Sequence, residues 1–161
     1  MSFYIRPIKH SDNPALAQVI RHVSAEFGLT ADKGYSVADP TLDSLFEVYN
    51  RPQSHYWVLT DASDAVVGGA GIAPLMGRPE VCELQKMYFL SKPRGQGYAK
   101  KLLTLCLQTA KEIGYKQCYL ESTAELKAAL GLYEHMGFTH LEQHWGNTGH
   151  SDCEIVMVKE L

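Results

Sequence analysis

The chain has 161 residues, of which 45% are hydrophobic and 20% are charged, and its formal net charge is −3. These values are ordinary for a globular protein, and the length predicts one domain over residues 1–161. The weak negative charge gives no reason to expect nucleic acid or an anionic membrane as a partner, and it mildly favours a cationic or amine-bearing substrate.

Two further features of the sequence concern the compartment. No apolar run reaches the roughly 18–20 residues of a membrane span, and the N-terminal segment lacks the apolar core of a signal peptide. Cys82, Cys106, Cys118 and Cys153 lie in apolar contexts and form no C-x-x-C pair. We therefore expect a cytoplasmic protein whose four cysteines are reduced.

Hydrophobic spacing, capping residues and glycines predict the order of the elements. These are a strand over residues 3–8, helices over 14–27 and 42–49, strands over 55–60, 66–75 and 81–89, a helix over 97–113, a strand over 118–121, a helix over 124–135, and strands over 138–144 and 153–159. The order β-α-α-β-β-β-α-β-α-β-β contains one strand–helix–strand unit, which forces a parallel crossover among antiparallel hairpins. It predicts an α/β (α+β) fold with a mixed central sheet of about seven strands and helices on both faces.

The most informative stretch is the glycine loop RGQGYA at residues 94–99, which follows a predicted strand and opens a helix. Free backbone N–H groups and the helix dipole make such a loop an anion site. It does not complete the dinucleotide pattern G-x-G-x-x-G, because Lys100 follows where a small residue is needed, and the sequence contains no P-loop. The remaining pattern, R-x-x-G-x-A, resembles the Gcn5-related N-acetyltransferase (GNAT) family, and the resemblance covers nearly the whole chain.

This resemblance implies that acetyl-CoA is the acyl donor and that the loop binds its pyrophosphate, without a metal. It also implies that the fourth strand splays from the fifth and pairs with the pantetheine arm. The implied cofactor-binding residues are Met87, Tyr88, Phe89, Arg94, Gly95, Gln96, Gly97, Tyr98, Ala99 and Lys100. From the residues alone, an ordinary strand-to-helix turn and an ordinary sheet ladder stay open as alternatives.

Two residues are the catalytic candidates. Tyr133 lies in LYEHMGF at residues 132–138, which is similar to the family signature L-Y-x-x-x-G-F and implies a general acid for the CoA thiolate. Glu83 stands eleven residues before Arg94, where histone-type members carry a glutamate, and is interpreted as the general base. The alternatives are a packed aromatic ring for Tyr133, and an ammonium anchor or a solvated glutamate for Glu83.

Other positions are candidates for the acceptor side. Strand alternation predicts that Glu83, Gln85 and Met87 share one face. The candidate acceptor contacts are Glu26, Tyr35, Gln85, Asn147 and His150, where the last two lie in a polar loop that could also be a surface hairpin or a subunit contact. Many family members carry an asparagine where this chain has Leu126, so no cofactor contact is assigned there. His140 and His144 share a strand face without a third ligand, so no metal site is expected.

The sequence thus predicts an acetyl-CoA-dependent N-acetyltransferase. It would transfer the acetyl group directly, in a ternary complex, to a primary amine of a small molecule or to an amino group of a peptide or protein. A homodimer is expected from the resemblance. The alternatives are an acyl-CoA-binding regulatory module without turnover, and transfer to a hydroxyl or from a longer acyl donor.

Overall fold

The computed structural model describes residues 2–29, 32, 35–145 and 153–161. The strands of these parts are β1 Tyr4–Pro7, β2 His55–Thr60, β3 Val66–Leu75, β4 Arg78–Phe89, β5 Gln117–Ser122, β6 Thr139–Leu141 and β7 Ile155–Glu160. The α-helices are α1 Asn13–Glu26, α2 Leu45–Tyr49, α3 Tyr98–Ile113 and α4 Lys127–His135, with 3-10 turns at His10–Asp12, Ser36–Ala38 and Leu42–Ser44. The predicted fold class and element order are confirmed.

The strands form one mixed sheet in the order β1-β2-β3-β4-β5-β7-β6. Strands β1 to β4 form an antiparallel meander, and α3 connects β4 to its parallel neighbour β5. Strand β7 returns antiparallel to β5 and carries β6 on its outer side. The single parallel pair therefore lies in the middle of the sheet, where the crossover was predicted.

Alternate strand residues point to opposite faces of the sheet, so each face carries its own apolar cluster. Helices cover both clusters. On one face, α1 and α2 pack on a buried cluster that includes Val58 and Tyr88. On the other face, α3 and α4 pack on a cluster that includes Trp57, Leu84 and Met157. The expected placement of helices on both faces is confirmed.

Several predicted boundaries differ from the structure by one to three residues, and two of these differences have a clear physical cause. Helix α4 begins at Lys127, three residues later than predicted, because the segment before it is tied into a turn: the Ala124 N–H donates to the Glu154 carboxylate at 2.7 Å, and the Thr123 hydroxyl donates to Glu125. Strand β6 spans three residues, because its pairing with β7 ends at Leu141.

A β-bulge interrupts β4 close to the glycines of β3. Gly69 pairs with Tyr88 and Gly71 with Gln85, so two residues of β4 oppose one residue of β3. Lys86, in the bulge, has a φ of 51°. The predicted shared face of Glu83, Gln85 and Met87 is therefore wrong, since the extra residue turns Met87 towards the α3 core.

Two expectations about compartment can be compared with the described residues. None of their helices is both long enough and apolar enough to cross a membrane. All four cysteines are free and buried, as predicted, and three of them belong to the core under α3.

Candidate active site

Strands β4 and β5 separate in the middle of the sheet. They pair only where Val81, Cys82 and Glu83 oppose residues 117–119, although β4 continues to Phe89 and β5 to Ser122. The predicted splay of the fourth strand is thus confirmed. Backbone groups of β4 beyond Glu83 have no partner strand on this side, which leaves room for a ligand that supplies hydrogen bonds.

Two cavities meet in this opening. The first, here called the carboxylate cavity, has a volume of about 60 Å³ and is lined by polar side chains that include Glu83, Gln85 and Glu121. The second, here called the long groove, has a volume of about 340 Å³ and runs between the glycine loop and α4. The residues that line both are Met87, Tyr88, Leu126 and Tyr133.

The glycine loop forms one end of the long groove. Gly95 and Gly97 have φ angles of 76° and 86°, in the left-handed region that glycine adopts without strain. Gly97 is the N-cap of α3 and supplies no side chain, so the N–H groups of the first helical turn point outward without an intrahelical acceptor. A Cβ atom built on either glycine would meet nothing within 4 Å. The loop can therefore receive an anion on its backbone.

Two side chains of the loop are engaged by other parts of the protein. The Gln96 side chain donates to the Lys92 carbonyl at 2.7 Å. The Tyr98 hydroxyl accepts from the Phe3 N–H at 3.3 Å, and the two rings pack edge to face. Gln96 does not line the groove and could serve a ligand through its main chain, whereas Tyr98, Ala99 and Lys100 line the groove.

Arg94 is already engaged by two groups of the protein. Its guanidinium donates to the Phe89 carbonyl and makes two bonds to the Glu26 carboxylate, at 2.7 and 2.9 Å. These bonds from Arg94 lower the pKa of Glu26. Glu26 was predicted as an acceptor contact, but the structure places it beside Arg94 of the glycine loop, and it lines neither cavity.

Tyr133 stands where the two cavities meet. Its side chain is 6% exposed, and its ring packs against Phe138 with centroids 5.8 Å apart. Burial raises the pKa of Tyr133 well above its usual value, because the ionised phenolate would lose its hydration. The hydroxyl is therefore a neutral hydrogen-bond donor over the whole physiological pH range.

Glu83 lies in the carboxylate cavity and is 6% exposed. The Gln85 amide donates to its Oε1 at 2.6 Å, and the Tyr49 hydroxyl donates to Oε1 of Gln85 at 2.7 Å. Burial raises the pKa of Tyr49, and the negative charge of Glu83 raises it further. Glu83 and Gln85 are thus brought together as predicted, in a hydrogen-bond chain that begins on α2.

Sequence reasoning missed Tyr49 and Glu121. Glu121 of β5 lines the carboxylate cavity, and the Tyr119 hydroxyl donates to it at 2.6 Å. Because Glu83 pairs with Tyr119 across the parallel ladder, Glu121 lies on the same sheet face as Glu83, one step further into the splay. The polar pair Glu121-Ser122 at the end of a buried strand was the available sequence signal.

Of the remaining acceptor candidates, Tyr35 lies within the described residues. Tyr35 is buried in a small cluster with Leu29 and Cys153, and this cluster touches Leu126 at the mouth of both cavities. Tyr35 itself lines neither cavity. Asn147 and His150 lie outside the residues that the structure describes.

An acyl-cysteine intermediate would need an ionisable thiol, and a metal site would need a cluster of ligands. A hydrogen bond to Cys82 and burial raise the pKa of the Cys118 thiol, and burial raises that of Cys106, so neither thiolate forms near neutral pH. Among the described residues, no three histidine, cysteine, aspartate or glutamate side chains cluster as metal ligands.

Comparisons with known proteins agree with this geometry. The sequence pattern of the Acetyltransferase (GNAT) family matches residues 18–138. The chain is 57% identical to YjgM, an uncharacterized N-acetyltransferase of Escherichia coli, over 98% of this chain and 94% of that protein.

Solved structures show the same fold. A GNAT-family acetyltransferase of Staphylococcus aureus superposes with a TM-score of 0.87 at 20% identity and 99% coverage of both chains. A phosphinothricin acetyltransferase of Sinorhizobium meliloti, in complex with AcCoA, superposes with a TM-score of 0.77 at 19% identity, over 100% of this chain and 89% of that one.

Proposed function

Because the chain belongs to the GNAT family and is an N-acetyltransferase, we propose that it transfers the acetyl group of acetyl-CoA directly to a primary amine. The observation that carries this proposal is the splayed opening between β4 and β5. It has a glycine loop for phosphates at one end, a buried carboxylate at the other, and the Tyr133 phenol between them.

The long groove supports acetyl-CoA as the donor. The first-turn N–H groups of α3 and the positive end of its dipole suit a pyrophosphate, and the open space over Gly95 and Gly97 lets phosphate oxygens approach the backbone. The backbone of Met87 and Tyr88 borders the groove beyond the last β5 pairing, where an extended pantetheine amide can replace the missing strand. The thioester would then lie near Tyr133.

The amine must be deprotonated before it attacks. An alkylammonium with a pKa of about 10.4 leaves only about 0.04% free amine at pH 7, so a nearby base gives a large advantage. Glu83 is buried at the end of the opening and can accept this proton directly or through one water molecule. Its negative charge also draws a cationic acceptor into the cavity.

The leaving thiolate is served by Tyr133. An ordinary thiol has a pKa near 8.5 and a phenol near 10, so complete proton transfer from tyrosine to thiolate is uphill by about 2 kcal/mol. Burial makes the phenol a still weaker acid. We therefore assign to Tyr133 a hydrogen bond that strengthens as charge develops on sulfur, while the amine supplies the proton that CoA finally carries.

Direct transfer is favoured over an acyl-cysteine route. Cys82, Cys106 and Cys118 are fully buried in the core under α3, and none of them lines either cavity. Burial in that position raises the pKa of Cys106 and Cys118, and it keeps all three thiols away from a thioester in the opening. The amine and the thioester must then meet in one ternary complex.

The test is a free-thiol release assay with acetyl-CoA against polyamines, amino acids, aminoglycosides and peptides with a free N-terminus or lysine. Turnover with an amine, and an amide product found by mass spectrometry, is the expected result. An ester product would show that the acceptor group is a hydroxyl instead of an amine. Turnover only with longer acyl-CoA thioesters would show that the donor is not acetyl-CoA. Tight CoA binding without turnover on any acceptor would contradict the proposal.

Two parts of the prediction concern the whole protein in its cell. A homodimer and a cytoplasmic location stay predictions. Light scattering of the purified chain measures the first, and fractionation of the source cells measures the second.

A further inference from the structure

A chain of hydrogen bonds connects α2 with the carboxylate cavity. It begins at the Tyr49 hydroxyl, passes through the Gln85 amide and ends on Oε1 of Glu83, with donor–acceptor distances of 2.7 and 2.6 Å. Tyr49 lines neither cavity of the candidate site, so it has no direct access to a substrate there. It can influence the reaction only through the groups that it holds.

The direction of this chain follows from its two ends. The Glu83 carboxylate only accepts, so the Gln85 group that contacts its Oε1 is the NH₂ group. The Gln85 oxygen then faces Tyr49 as an acceptor. Tyr49 is 3% exposed, and burial together with the charge of Glu83 raises its pKa, so its hydroxyl keeps its proton and donates a hydrogen bond to this oxygen. Without the Tyr49 hydroxyl, the Gln85 oxygen would lose this donor and Glu83 alone would hold the amide.

We propose that Tyr49 is a positioning residue: through Gln85 it holds the Glu83 carboxylate in the rotamer and the charged state needed to receive the acceptor's proton. This inference rests on the proposed function, in which Glu83 is the base. A donor bond to a carboxylate favours the charged form, and polarisation of the amide by the tyrosine strengthens that bond. Loss of the Tyr49 hydroxyl should weaken the bond from the Gln85 amide to the Glu83 carboxylate.

Other charged and titratable groups line the same cavity or bond to a group that does, and they must be held constant in a test. They are Lys86 of β4 with its partner Asp39, Tyr88 of β4, Tyr119 and Glu121 of β5, and Tyr133 of α4. None of them donates one of the two bonds that define the chain. Substitutions of Tyr49 and Gln85 leave all of these groups in place.

A matched control exists in the same buried cluster. The Tyr56 ring lies 5.0 Å from the Tyr49 ring, Tyr56 is 2% exposed, and its hydroxyl also donates to β4, but to the Lys86 carbonyl at 2.6 Å. Tyr49→Phe and Tyr56→Phe thus remove equally buried hydroxyls at equal loss of packing. Only the first removes a bond to Gln85.

The experiment is a pH titration of the side-chain carboxyl carbons in the free chain labelled with ¹³C-glutamate. The resonance of Glu83 is assigned as the one that Glu83→Gln removes. In Tyr49→Phe we expect its titration midpoint to move to higher pH by about half a unit to one unit, because the bond from Gln85 to Glu83 is weakened. In Tyr56→Phe the midpoint should stay within about 0.2 units of the unmodified chain.

A second variant keeps the test valid if Tyr49→Phe folds poorly. Gln85→Met removes the bond to Glu83 itself and should move the midpoint in the same direction by at least as much. The double variant should shift no further than Gln85→Met alone, because Tyr49 acts only through Gln85. An unchanged midpoint in Tyr49→Phe and Gln85→Met, or equal shifts in Tyr49→Phe and Tyr56→Phe, would overturn the inference.

The catalytic consequence is measured with the amine identified by the thiol-release assay. In Tyr49→Phe, the acidic limb of the kcat/KM profile should move to higher pH by the same amount as the carboxyl titration. At pH values above this limb, kcat/KM should return to the value of the unmodified chain. A purely structural role would lower activity at every pH without moving the limb. If Glu83→Gln leaves the limb in place, the base assignment fails even where the carboxyl titration behaves as expected, and Tyr49 then has no part in the reaction. The two failures are thus distinguished.

Discussion

The two ends of the opening between β4 and β5 are built in different ways. At the glycine loop, the groups offered to a ligand are backbone N–H groups, fixed by Gly95 and Gly97 at positive φ and by the start of α3. At the other end, the groups are side chains of Glu83, Gln85 and Tyr49, drawn from β4 and α2 and buried together. A donor shared by a whole family can be held by backbone geometry, whereas an acceptor that differs between members has to be selected by side chains.

This contrast predicts the largest effect at the backbone end. Gly97→Val should abolish measurable CoA binding, that is, weaken it by at least about 100-fold, because a β-branched residue is strained at this φ and its side chain fills the approach of the phosphates. Calorimetry with CoA is the measurement. Gly77→Val is the matched control, since Gly77 has a φ of 85° and equally open space in the turn between β3 and β4. Equal losses of CoA affinity in both variants would show that the glycine loop is not part of the CoA-binding site.

The next largest effect is expected where the two ends meet. Tyr133→Phe should lower kcat by about 10²–10³-fold, as for one lost donor to developing charge, with CoA affinity almost unchanged. Because burial raises the pKa of Tyr133, its ionisation should produce no basic limb in the unmodified enzyme below about pH 10. The control is Tyr115→Phe, which removes a hydroxyl bound to the Gln53 carbonyl and lining neither cavity. A kcat within a factor of about two of the unmodified enzyme would show that the thiolate leaves without this donor.

A smaller effect is expected at the side-chain end. Glu83→Gln should lower kcat/KM by about 10–10²-fold at neutral pH and recover towards pH 10, since free amine then forms without a base. Glu80→Gln, an exposed glutamate of the same strand, is the control. A rise in the KM of the amine with an unaltered pH profile would indicate an electrostatic anchor. A lower melting temperature with unchanged kinetics would indicate a structural glutamate.

The smallest effect concerns the ion pair beside the loop. Glu26→Gln should strengthen CoA binding by about two- to threefold at low salt, because it removes a negative charge near the phosphates and releases Arg94 to them. The gain should disappear at high salt. Asp43→Asn is the matched control, since Asp43 makes the same two-bond pair with Arg21 away from both cavities. Weaker CoA binding in Glu26→Gln would mean that Glu26 positions Arg94 for the cofactor.

Much of the fold was predictable because its signals are local. Strand β3 has the predicted bounds, and α3 begins one residue after the predicted start and ends at the predicted residue, Ile113, with Gly114 as its C-cap. Helix periodicity, strand alternation and the glycines that end helices and form turns involve residues only a few positions apart. They can therefore be recognised in the sequence directly. The start of α4 was missed because Ala124 is held by Glu154, thirty positions away.

The candidate site divides in the same way. The glycine loop and the LYEHMGF segment are each contiguous, so the sequence by itself determined the family resemblance and, through it, the predicted donor loop and the candidate Tyr133. Glu83 was proposed from its distance of eleven residues to Arg94. The face of Met87 was predicted wrongly because a bulge at Lys86 shifts the alternation, and the partner strand sets that bulge.

Tertiary structure alone decided the rest. It placed Glu26 against Arg94 instead of the carboxylate cavity, brought Glu121 to the face of Glu83 through the β4–β5 register, and connected Tyr49 to Glu83 through Gln85. These partners are separated by 34 to 68 positions or lie on different strands, and no local pattern encodes such a distance. What a backbone loop binds can be read from neighbouring residues, but the residues that orient a buried carboxylate are known only after the sheet and its helices have packed.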